Sequence, residues 1–154
     1  EKKMKVKNLG LALLMIATIT FAACGGGSKK GMAGNPASMA LAPLNGLIKF
    51  EYAKTTMSAP QVEKWVGVAA PAVNKAMAAV PAGKSLVIVG HANSIGGQRA
   101  ADNFGLARAN FVRNSLRAKG VDVSKIKTKS AGASQENKAN LMDPNNFKIS
   151  FEVQ

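Results

Sequence analysis

One cysteine and one histidine in 154 residues exclude a disulfide framework and a zinc site built from Cys and His within one chain. Aromatic residues are scarce at 5%, with a single Trp, so a core must come from Ile, Leu, Val, Met and Ala. Acidic residues are also few. Eight Asp and Glu face 21 Lys and Arg, a formal charge of +13 that favours an anionic partner and says nothing about fold. The chain has the length of one ordinary domain. A nucleic-acid site is not expected, because neither a zinc finger nor an aromatic-rich RNA-binding signature is present.

What is present begins with a leader pattern. Lys2, Lys3, Lys5 and Lys7 precede an apolar run from Leu9 to Phe21, followed by Ala22-Ala23-Cys24. A basic start, a short apolar run and small residues before a boundary form the secretory pattern. The run is too short to span a bilayer, which takes about 20 apolar residues. Phe21-Ala22-Ala23-Cys24 resembles a bacterial lipobox, which implies a signal peptide over 1–23 and acyl chains (palmitate among them) on Cys24. Several chains on one Cys give stable anchoring. Gly25 is not the Asp that retains lipoproteins in an inner membrane, so an outer-membrane anchor facing the periplasm is expected. Without residues 1–23, which hold four lysines and Glu1, the charge falls from +13 only to +10. Residues 24–43, rich in Gly, Ala, Ser and Met, read as the lipidated Cys and a flexible linker. A coil of about 20 residues spans roughly 25 Å.

The domain expected over 44–154 starts with a strand at Leu47–Tyr52. Ser58-Ala59-Pro60 then opens a helix whose stripe runs Val62, Trp65, Val66, Ala69, Val73, Ala76, Met77 and Val80. Pro71 should kink or split it. Ser85–Gly90 reads as a central strand, the loop from Asn93 to Gly97 as the entry to a second helix over 98–119, and Gly120 as its stop. Strands follow at Ile126–Ala133 and Phe147–Val153. The order β-α-β-α-β-β predicts an α+β sandwich, two helices on one face of a mixed four-stranded sheet.

Two motifs carry no chemistry. Ala82-Gly83-Lys84-Ser85 looks like the end of a phosphate-binding loop, but Ala78 replaces its first Gly and a strand follows where a helix is needed. His91 lacks a nearby acidic partner and a nucleophile elbow, so it reads as a loop anchor and the chain as no enzyme. No cofactor is expected.

Gly90-His91-Ala92-Asn93-Ser94-Ile95-Gly96, followed by Arg108-Ala109, Val112 and Leu116, resembles the OmpA-like peptidoglycan-binding domain family in order and spacing. Asn146 to Ile149 is similar to its closing motif, with Lys148 at an Arg position. The resemblance implies a non-covalent peptidoglycan binder tethering outer membrane to cell wall, with Arg108, Asn93, His91 and Lys148 around a stem-peptide diaminopimelate. A guanidinium suits that task because it donates two hydrogen bonds to one carboxylate. Arg108 is expected near the start of the second helix, where the dipole favours an anion. Asn93 stands where the family has Asp. A charged hydrogen bond contributes about 1.5–3 kcal/mol against about 1 for a neutral one, so this change weakens an ammonium contact around tenfold. The alternative is a degenerate OmpA-like interaction module in an envelope assembly, with protein partners and no stem peptide.

Overall fold

The computed structural model describes residues 35–154. The leader, Cys24 and most of the expected linker lie outside these residues. The end of that linker is helical, not coil. Asn35 accepts the Ala37 N–H at 3.0 Å and Pro36 pre-sets the first turn of α1, Pro36–Leu41. Ala37, Leu41 and, in the next 3-10 turn, Leu44 repeat at helical spacing and are fully buried.

The expected first strand is the second departure. Ile48 and Phe50 do turn inward, and Phe50 N–H donates to Phe147 O at 2.9 Å while Ile149 N–H donates to Ile48 O at 2.9 Å. The pairing amounts to one bridge, Lys49 with Lys148. The Phe151 N–H that a longer strand would take goes to the Asn45 side chain at 2.7 Å. Beyond Phe50 the chain bends, Lys54 N–H closing on Glu51 O, with Ala53 at φ 56. Among the described residues the sheet therefore has three strands, not four.

α2, Ala59–Ala79, starts where the Ser58 N–H meets the Gln61 side chain at 2.9 Å. It runs unsplit through Pro71, which sits on the exposed face, while Ala69, Val73 and Ala76 stay buried on either side. β1, Leu86–His91, is buried along its whole length. α3, Gln98–Ala118, leads to β2, Ile126–Gly132, parallel to β1, and β3, Ile149–Val153, pairs antiparallel on the other side. The order is β2-β1-β3, a mixed sheet. Leu86, Ile88, Ile149 and Phe151 meet Val66, Val73, Val112 and Leu116 in one apolar core.

Gly90 of β1 and Gly105 of α3 cross at backbone contact. A Cβ on Gly90 would overlap Gly105 O, and one on Gly105 would overlap the Ser130 hydroxyl. This close crossing carries the next turn of α3, with Arg108, to the end of β1.

Candidate functional site

Arg108 is 1% exposed, which for a cation demands a reason. Its Nε donates to Lys54 O at 2.9 Å, Nη1 to His91 O at 2.7 Å and Nη2 to Glu51 O at 3.4 Å. The guanidinium carbon lies 5.2 Å from the Phe147 ring centre and 5.5 Å from those of Phe50 and Phe104. Ring faces attract a cation at this range. No carboxylate among the described residues pairs with it. Burial lowers its pKa to about 10, so it stays protonated at neutral pH. Among the described residues three of its five N–H groups find partners, which leaves one on each Nη.

The group forms part of a cavity of about 250 Å³ walled by Tyr52, Ala53, Ala92, Ile95, Phe104 and Phe147, with Asn93, Gly96 and Ala100 completing it. Asn93 is the second residue beyond β1. Its Nδ2 donates to Leu141 O at 2.8 Å, and its Oδ1 has no partner among the described residues. Asn146 donates to the same carbonyl at 3.1 Å and to Asn140 O at 3.0 Å, and accepts from Asn137 N–H at 2.6 Å. The Ser94 N–H donates to the Glu136 carboxylate at 2.7 Å. The loop after β1 and the loop before β3 are thus pinned to each other. Gly96 and Gly97, at φ 88 and 84, make the turn into α3 that only glycine adopts without strain.

The structure brings Arg108 and Asn93 to one cavity and separates the other two candidates. The His91 carbonyl reaches Arg108, but its ring faces β3, Nε2 lying 2.7 Å from Ser150 Oγ. Burial first, and Lys148 second, push the His91 pKa down to about 4. Lys148 lines a different, polar depression of about 390 Å³ with Asn45, Gln135, Ser150 and Glu152. Its neighbour Phe147 is the residue that faces the guanidinium. Arg108 itself lies midway along α3, so the helix N-terminus does not act on it. Sequence reading passed over Tyr52 and the carbonyls of Glu51 and Lys54, whose bend has no motif.

Solved structures share this fold at low identity. The peptidoglycan-associated lipoprotein from Burkholderia pseudomallei is similar at TM-score 0.53 and 16% identity, over 70% of this chain and 88% of that one. The OmpA-like domain of FopA1 from Francisella tularensis gives TM-score 0.52 and 21% identity, over 69% and 72%. The cell wall anchor of the T6SS from Pseudomonas aeruginosa gives 0.51 and 17%, over 70% and 75%. No curated protein sequence matches. The model of the OmpA family matches residues 66–148, more than half of the chain and all of the Gly90–Leu116 motif, and the chain therefore belongs to the OmpA family.

Proposed function

We propose that this chain is a lipid-anchored envelope protein that binds peptidoglycan non-covalently, tethering the outer membrane to the cell wall. One observation carries the wall-binding reading. A buried guanidinium with no carboxylate partner, and with N–H groups to spare, forms part of the cavity beside Asn93. Buried charges are normally paired, so this one fits a missing anion, and the carboxylates of a stem peptide supply it. The lipid anchor rests on the sequence around Cys24, and a tether from there to α1 lets many anchored copies engage a polymeric lattice. Avidity then offsets weak single contacts. The domain acts by holding its ligand, and no reaction is assigned to it.

A second reading, the degenerate interaction module, is favoured by the three carbonyls that already occupy Arg108. Pull-down of the full chain on purified sacculi separates the two. Arg108→Lys keeps the charge but loses the fork, and Ala100→Phe fills the cavity without touching the buried network. Under wall binding both variants, folded by circular dichroism, lose at least tenfold in retention. Unchanged retention in both would leave only the module.

A further inference from the structure

Resting on the wall-binding reading, we propose that the cavity selects a carboxylate whose neighbouring nitrogen is acylated, an N-acyl amino acid end, over the free zwitterion. Among the described residues that line it, Arg108 is the only charged one; the other polar side chains are neutral, the Tyr52 phenol and the Asn93 amide, and the rest of the wall is apolar. A ligand carboxylate finds the spare N–H groups on Nη1 and Nη2. Asn93 spends one of its two Nδ2 N–H groups on Leu141 O, which orients the amide and leaves Oδ1 as a neutral acceptor.

That acceptor suits an amide N–H, which arrives needing one hydrogen bond and no countercharge. An ammonium in the same place would be stripped of water by Tyr52, Ile95, Phe104 and Phe147 and given no anion. It would also stand near a like charge on Arg108. Glu136 is occupied by the Ser94 N–H, and neither it nor Glu51 lines the cavity. A volume of about 250 Å³ is small for a ligand site, so it takes one end of a chain, not a whole muropeptide.

Two wall groups share this chemistry: the carboxyl end of a stem peptide, and a diaminopimelate whose side-chain amine has been acylated by cross-linking. Three probes distinguish them by nitrogen-15 NMR titration of the full chain: N-acetyl-D-alanyl-D-alanine, mono-N-acetyl-diaminopimelate and free diaminopimelate. At least one acylated probe should shift the Asn93 and Arg108 signals with an affinity tenfold or more above that of the free amino acid. Which one wins names the source. Asn93→Asp, which adds the missing carboxylate, should reverse the order, and Ala100→Phe should abolish all shifts.

Free diaminopimelate binding wild type as well as the acylated probes overturns the proposal, and so does silence at Asn93 and Arg108 with every probe. Chemical N-acetylation of sacculi gives an independent arm, in which wild-type retention should hold. Retention that needs Arg108 but disappears on acetylation refutes the selectivity and leaves wall binding standing. Absence of retention on either kind of sacculus refutes wall binding itself.

Discussion

At the residue scale the site is a case of one cation serving two masters. Arg108 fastens the bend at Glu51–Lys54 to the end of β1 and, among the described residues, keeps two N–H groups without a partner, which the proposed ligand would take. Its neighbour His91 is held neutral in the interior, with its ring against Ser150. The consequence is a pH dependence with a definite sign. An unfolded His takes up a proton near 6.5, while the folded one resists until about 4. Stability is therefore full above 6.5, falls as pH drops through this window, and levels off below it, by at most about 3 kcal/mol in all. His91→Gln keeps an amide for Ser150 and removes this contribution. Urea midpoints for the two proteins at pH 7, 5.5 and 4 should lie nearest each other at pH 7 and separate toward pH 4, as wild type loses stability that the variant keeps. Parallel curves would mean that the imidazole is not desolvated.

At the element scale α1 shows how little sequence a structural element needs. Leu41 is fully buried and Met39, two residues away, is 66% exposed. Leu41→Ala should cost about 2–5 kcal/mol and Met39→Ala less than about 0.5, measured by thermal or urea unfolding. A chain beginning at residue 44 loses Ala37 as well and should be weaker still. Equal stability of these proteins would make α1 an ornament on the domain. The same contrast explains what could be read in advance. β1 announces itself as an unbroken apolar run because both its faces are covered, and α2 and α3 by stripes long enough to show a 3.6-residue period. Six residues of α1 hold too little of that period to stand out from a linker. The missing fourth strand was not readable because its hydrogen-bond partner was taken by Asn45, 106 residues from Phe151. Arg108 and Asn93 were legible through their motif. The wall made by Tyr52 and Ala53 was not, since it depends on a contact spanning 54 residues.

At the scale of the whole molecule the net charge of +13 and the buried cation Arg108 make different demands on salt. Among the described residues one ion pair is formed, Lys119 with Glu63 at 2.6 Å, so most surface lysines are free. Lys127 and Lys129 are exposed on β2, an edge of the sheet, where they also deter strand-to-strand aggregation. Exposed charges are screened within about 8–10 Å at physiological salt, whereas a contact inside an apolar cavity is screened much less. Retention on sacculi should accordingly have two parts. Raising salt from about 50 mM to about 500 mM should remove the part owed to surface lysines and leave a floor owed to the cavity. Lys127→Gln with Lys129→Gln should flatten the salt-sensitive part and keep the floor. Ala100→Phe should do the opposite, leaving protein that washes off completely. A floor that survives Ala100→Phe would place the specific contact somewhere other than Arg108, and a chain without any floor would be a polycation near the wall and no more.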